Sequence, residues 1–383
     1  MDCPDDETAE TRRQLAIIFT ERVEVQLMRF LAASVVRGFV LPLLVVLALL
    51  ESAHAAKETR RNAVHVARAS SARSVALVGA PTNLGQRRVG VESAPETLRR
   101  LARDGALAPP GWDVHDLGDA FAREDGFRSA ADAAADGGAT PFAAASAAHR
   151  KLADAVTRAL GAGRHDVVLA LGGDHSVSIG SIAGVLRDAP STRIVWIDAH
   201  ADVNTERTSP SGNLHGMALA VLRQRRGLSR DDSNDFGGAY DWLRTTRVPP
   251  LDLAKRVTYV GLRELDPGEE TLLNALNVSR FTGVDDLRAF TASLASDDDP
   301  GSPIHVSLDV DVLDPSAFMP CTGTRARGGL TTEQCVDVLR ALAATGRVRS
   351  ADVVELNLEA CETDEERAAS AANAAALLNA LLE

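Results

Sequence analysis

Cysteine is scarce in this chain: 4 residues in 383, at positions 3, 321, 335 and 361. No CxxC or zinc-type spacing joins them, which excludes the common thiolate metal centres and dithiol motifs. Free thiols in a reducing compartment are the default expectation, with Cys321 set apart because it falls in a loop of chemistry-bearing sequence. Basic charge is also in deficit. Lys plus Arg number 41 against 53 Asp plus Glu, a formal net charge of -12. That balance excludes a typical nucleic-acid binder, yet it would not repel a small cationic ligand. The apolar run Phe39–Leu50 falls short of a spanning helix. Internal repeats are absent, and so is a second domain boundary after residue 74. What remains is 45% hydrophobic and 25% charged, enough for one large or two ordinary domains with a real core.

The first 73 residues stand apart from the rest. Read from Met28, Arg29 and Arg37 precede the apolar run, and Ser52-Ala53-His54-Ala55 follows it like a signal-peptidase site. Read from Met1, the start is acidic (Asp2, Asp5, Asp6, Glu7, Glu10). Lys57, Arg60, Arg61, Arg68 and Arg73, with Ser70, Ser71 and Ser74, resemble an organellar presequence. Three readings stay open: a signal or anchor segment near 28–55, a presequence, or an artefact of start-site choice. Membrane association is expected only if residues 39–50 are retained. The compartment of the remainder is open between cytoplasm and mitochondrion.

From Ser74 short apolar runs alternate with longer helix-like stretches. The strand-like runs are Val75–Val78, Asp113–Leu117, Val167–Leu171, Ile194–Ile197, Val257–Val260, Arg280–Thr282, Ile304–Leu308 and Asp352–Leu356. The helix-like stretches include Pro95–Arg103, Ala143–Leu160, Gly180–Arg187, Glu269–Leu276, Thr332–Ala344 and Glu366–Leu382. This alternation predicts parallel βαβ units in a three-layer α/β/α domain spanning 74–383, with a mainly parallel sheet of about eight strands.

Polar residues gather at the carboxyl ends of these runs. Gly172-Gly173-Asp174-His175-Ser176 follows Leu171, Asp198-Ala199-His200-Ala201-Asp202 follows Ile197, Asp309-Val310-Asp311 follows Leu308, and Glu355 closes the last strand. Open α/β sheets build their sites there. In an extended chain, residues at i, i+2 and i+4 point one way, so three ligands from one segment and two from another can converge. Carboxylates forced together repel unless a cation sits among them. The pattern predicts a metal site, and the number of carboxylates predicts two ions. Asp174 reads as structural, because neighbouring Asp and His side chains point apart. The histidines outside these motifs, such as His165 and His305, read as structural or exposed.

GGDHS (172–176), DAHAD-x-NT (198–205), SGNLHG (211–216), GLR-x-x-DPGE (261–269), SLDVDVLDP (307–315) and TGT (322–324) occur in one order. With the Val78–Pro81 and Gly85-Gln86 segments, they resemble the arginase branch of the manganese-dependent ureohydrolases from about Ser74 to the C-terminus. The resemblance implies two Mn2+ ions. One would be held by His175, Asp198, Asp202 and Asp309, the other by Asp198, His200, Asp309 and Asp311. An oxygen-rich shell of four carboxylates and two imidazoles suits manganese. The resemblance further implies catalytic roles for His215 as a proton shuttle and for Glu355 as the guanidinium-binding group; Asp311 is expected to carry the hydrolytic water's proton to the leaving amine. Asn204 and Ser211 would take the substrate α-carboxylate, Asp266 its α-amino group, and Thr324 would support the guanidinium end. L-arginine is the implied substrate, with agmatinase or another guanidino hydrolase as the alternative, and trimers or hexamers the implied assembly. Two departures fall in one loop: SAFMPC (316–321) is one residue longer than the family's usual segment, and Arg325 stands where Pro is usual. Glu264 replaces a common Asp, and Asn357-Leu358 a usual Asn-Pro.

Overall fold

The computed structural model describes residues 73–103, 111–129, 132, 141–223, 236–295 and 299–383. The N-terminal segment, residues 1–72, lies outside the described residues.

Eight strands form a single sheet: β1 (Arg73–Ala80), β2 (Trp112–Asp119), β3 (Val167–Gly172), β4 (Arg193–Ile197), β5 (Val257–Val260), β6 (Ser279–Phe281), β7 (Ile304–Asp309) and β8 (Val348–Val354). Their spatial order is β2-β1-β3-β8-β7-β4-β5-β6, and every neighbouring pair runs parallel. Such strands are covered on both faces and read as continuous apolar runs. The central strands β3 and β7 are buried along their whole length, whereas β2, at an edge, is mostly exposed.

Alternate residues of each strand face opposite helical layers. Val75 and Leu77 of β1 join a core with Leu98, Leu287, Leu339 and Leu378. These four lie on α1 (Ala94–Arg103), α6 (Val284–Ala295), α7 (Thr332–Ala344) and α8 (Asp364–Ala380). Ala76 and Val78 face the other way, against Leu152 and Val156 of α2 (Phe142–Leu160). That second layer also holds α3 (Val177–Asp188) and α4 (Ala218–Arg223). The three-layer α/β/α expectation therefore holds. α2 and α3 approach closely through glycines: a Cβ at Gly180 would lie 2.7 Å from the His149 carbonyl, and one at Gly184 2.7 Å from Val156 Cβ. α5 (Pro267–Leu276), α7 and α8 each begin with a capping box, Asp266 with Glu269, Thr331 with Gln334 and Thr363 with Glu366, which satisfies backbone donors the helix itself cannot.

Two local expectations need correction. β8 starts at Val348, earlier than the predicted Asp352, and stops at Val354. Glu355 adopts φ 63°, a left-handed backbone that ends the ladder. The Asp198–Asp202 run is not extended strand either. β4 stops at Ile197 and Asp202 has φ 49°, so its ligands converge through a shaped loop rather than strict alternation.

Candidate metal centre and substrate pocket

β3, β8, β7 and β4 are adjacent in the sheet, which brings the four polar strand ends to one place. His175 lies in the turn between β3 and α3, its ring stacked 4.2 Å from Trp196 of β4. Gly173 permits this turn, because a Cβ there would collide with the Thr82 backbone. His175 Nδ1 lies 3.0 Å from Asp198 Oδ2, 3.0 Å from Asp202 Oδ2 and 3.2 Å from Asp309 Oδ2. His200 Nδ1 lies 3.1 Å from Asp311 Oδ2 and 3.4 Å from Asp198 Oδ1. Two groups able to hold a cation result, His175 with Asp198 and Asp309, and Asp198 with His200 and Asp311. Asp198 belongs to both. All six predicted ligands are thus brought together.

The donor atoms fit cations better than they fit each other. His175 Nδ1 and Asp311 Oδ2 are buried yet make no directed hydrogen bond, although oppositely charged groups crowd both. Burial alone would pull the His175 imidazole down, but the Asp198, Asp202 and Asp309 carboxylates hold it well above its ordinary value. Burial, and then the Asp311 and Asp198 charges, lift Asp309 well out of the carboxylate range. Burial and Asp198 likewise raise Asp311 to about 6. Four packed carboxylates can be balanced by protons only at this cost, and divalent cations remove it. Other lone pairs are already committed: Asp198 Oδ2 accepts from Trp196 Nε1 at 2.9 Å and Asp309 Oδ1 from the Asp311 N–H at 2.8 Å.

Glu355 sits beside this cluster, 1% exposed. Its Oε1 accepts the His175 N–H at 2.9 Å and faces His215 Nδ1 at 2.9 Å. Its Oε2 accepts from Gln86 Nε2 at 2.9 Å. Burial opposes the charge on both partners, but the pair sustains it. Glu355 is held below its usual range, and His215 is raised to about 8. Gly323 closes over the carboxylate, where a Cβ would lie 2.6 Å from Oε2. Thr322, not Thr324, bonds the Glu355 backbone, its hydroxyl donating to the carbonyl at 3.1 Å. Thr324 is half-buried one residue beyond Gly323.

Of the other predicted substrate residues, Asn204 and Asp266 meet: Asn204 Nδ2 donates to Asp266 Oδ2 at 2.8 Å. Thr208 donates to Asn204 Oδ1 at 2.9 Å, which fixes the amide's orientation. Ser211 lies on an exposed loop, its Oγ accepting the Asn213 N–H at 3.2 Å and its carbonyl taking Arg87 at 3.1 Å. Asp174 is structural as expected, binding the N–H groups of Gly85 and Ser176 at 2.8 and 2.9 Å. Gln86 contacts Glu355 from a segment 269 residues away, so no local motif signals its place in the site.

One expectation about thiols is overturned. Cys321 and Cys361 form a disulfide across 40 residues, with Cα atoms 4.9 Å apart. It joins the lengthened 316–321 loop to the segment after Glu355. Cys335 is a buried free thiol.

Comparison with known proteins decides the family. A sequence profile described as the arginase family matches residues 73–382. The chain belongs to the arginase family. It is accordingly a hydrolase acting on carbon–nitrogen bonds. Arginase-1 of Bos taurus is 36% identical over 312 residues, covering 78% of this chain and 89% of its own length. Arginase-1 of Homo sapiens is 35% identical, with 78% and 89% covered. Among solved structures, arginase from Bacillus cereus superposes with a TM-score of 0.66 at 28% identity, covering 81% of this chain and 98% of its own. A formimidoylglutamase from Bacillus subtilis, at 21% identity and a TM-score of 0.59, shares the fold.

Proposed function

We propose that this family member is an arginase in the strict sense, converting L-arginine and water to L-ornithine and urea. The observation that carries the proposal is that one carboxylate oxygen, Glu355 Oε1, lies 2.9 Å from both His215 Nδ1 and the backbone nitrogen of His175. A guanidinium acceptor, a proton carrier and a metal-ligand turn are thereby in contact.

Two Mn2+ ions would be held by His175, Asp198, His200, Asp202, Asp309 and Asp311, and when bound they supply a hydrolytic water of lowered pKa and neutralise developing charge. Glu355 receives the planar guanidinium through charge-assisted hydrogen bonds, aligning its carbon with the cluster. As the carbon–oxygen bond forms and the carbon–nitrogen bond breaks, the Asp311 carboxylate takes the water's proton and passes it to the departing amine. His215, 18% exposed at its side chain, exchanges protons between the pocket and bulk water, a task suited to imidazole.

Recognition of the amino-acid end rests on Asn204 and Ser211 for the α-carboxylate and Asp266 for the α-amino group. Asn204 has a second amide hydrogen beyond the one given to Asp266, and neutral donors of this kind suit a carboxylate. Agmatine lacks that carboxylate, which sets the two guanidino substrates apart. The test is urea release from arginine and from agmatine by the manganese-loaded protein. Preference for arginine supports the assignment, and clear preference for agmatine overturns it.

A further inference from the structure

The central strands β7 and β8 break the rule that a doubly covered parallel strand is apolar. One face obeys it, with Ile304, Val306, Leu308, Ala351 and Val353 in the core. The face toward α3 carries His305 paired with Ser350 and Ser307 paired with Asp352. All four, with Ser181 of α3, are at most 1% exposed. A buried carboxylate costs several kcal/mol unless it is well supplied with donors, so this stripe requires an explanation.

Asp352 receives three side-chain donors. Ser181 and His305 Nε2, the latter at 2.9 Å, reach Oδ2, and Ser307 reaches Oδ1 at 2.6 Å. His305 Nδ1 in turn meets Ser350 Oγ at 2.7 Å. The direction of the chain follows from the proton count. An ionised carboxylate only accepts, so the single Ser307 hydroxyl proton points to Asp352. The Ser307 oxygen is then left to accept from His175 Nε2, 3.0 Å away. That bond fixes the proton on Nε2, and Nδ1 is the nitrogen that faces Asp198, Asp202 and Asp309.

We propose that Asp352 is a positioning residue which, acting through Ser307, sets the tautomer of His175 so that its Nδ1 lone pair is presented to the metal site. The inference rests on the metal reading above. Outer-shell hydrogen bonds of this kind commonly tune metal affinity.

Substituting asparagine reverses the chain. In Asp352→Asn the amide oxygen must stay at the Oδ2 position to accept from His305 and Ser181. The amide nitrogen then donates to Ser307, whose proton swings to His175 Nε2 and drives the imidazole proton to Nδ1. Ser307→Ala merely deletes the relay. Manganese affinity of the full chain, measured from the free-ion electron paramagnetic resonance signal, separates these effects. Asp352→Asn should weaken the more affected ion about 10–100-fold. Adding Ser307→Ala to Asp352→Asn should restore affinity to that of Ser307→Ala alone. Unchanged affinity in folded Asp352→Asn, or a double variant no tighter than Asp352→Asn alone, overturns the proposal. If Asp352→Asn does not fold, Ser307→Ala decides: affinity equal to wild type overturns it, and a clear loss supports it. A wild-type chain without manganese sites would defeat the metal reading itself, and this inference with it.

Discussion

His215 Nδ1 and Glu355 Oε1 lie 2.9 Å apart, the only link among the described side-chain hydrogen bonds between the SGNLHG loop and the end of β8. His215 touches no metal-ligand side chain through it. His215→Asn should therefore keep its metal content and lose turnover by about 100-fold, the usual scale for a removed acid–base group. Metal analysis and urea assay on one preparation check this. Loss of metal along with activity would place His215 inside the metal shell instead.

Asn204 donates to Asp266 through a 2.8 Å hydrogen bond, and the proposed function gives both the amino-acid end of the substrate. Asn204→Ala should raise KM for arginine about 10-fold, the scale of one hydrogen bond to a charged group. KM for agmatine should barely move, because that substrate offers no carboxylate. Equal losses on both substrates would show that Asn204 supports the pocket rather than reading the α-carboxylate.

Most of this site was legible in the sequence because its ligands occupy short motifs at strand ends, as Asp198–Asp202 and Asp309–Asp311 do. Inner strands such as β3 and β4 were legible because both-face burial makes continuous apolar runs, a reason that does not extend to the mostly exposed edge strand β2. The Asp352 chain was not. His305, Ser307, Ser350 and Asp352 alternate with apolar residues, which reads like any half-buried strand. Only the β7–β8 register and the covering helix reveal that this face is dry. The early start of β8 was hidden by the same polar residues. The 321–361 disulfide was hidden by its 40-residue separation, for which no local spacing rule exists.

His149 contributes to the pH dependence of stability on the acid side. It is fully buried between Tyr240 OH at 2.9 Å and Ser176 Oγ at 3.0 Å, and burial pushes its imidazole down from 6.5 to about 3. The unfolded chain takes up this proton below about pH 6.5, and the folded chain does not until about pH 3. Its contribution is thus fully present above pH 6.5 and falls by about 1.4 kcal/mol per pH unit below it. His149→Gln should flatten the acid side of a denaturation midpoint measured against pH. An unaltered slope would remove His149 from the account.

The Cys321–Cys361 bond closes a 40-residue loop. Chain-entropy arguments give such a crosslink about 4 kcal/mol. It also braces the loop in which Thr322 donates to the Glu355 carbonyl. Reduction by a dithiol should lower the denaturant midpoint and raise KM for arginine. Midpoint and KM that both ignore the reductant would show that the loop is held by its hydrogen bonds alone.

The central claim is a two-ion site that shares Asp198 and includes Asp311. Its most direct test is to strip the protein with a chelator, titrate Mn2+ back, and record bound metal and urea release together, for wild type and Asp311→Ala. Two ions per wild-type chain are expected, with activity returning in step, and Asp311→Ala should be short of metal and nearly inactive. Urea release that survives complete stripping, or full activity in Asp311→Ala, would contradict it.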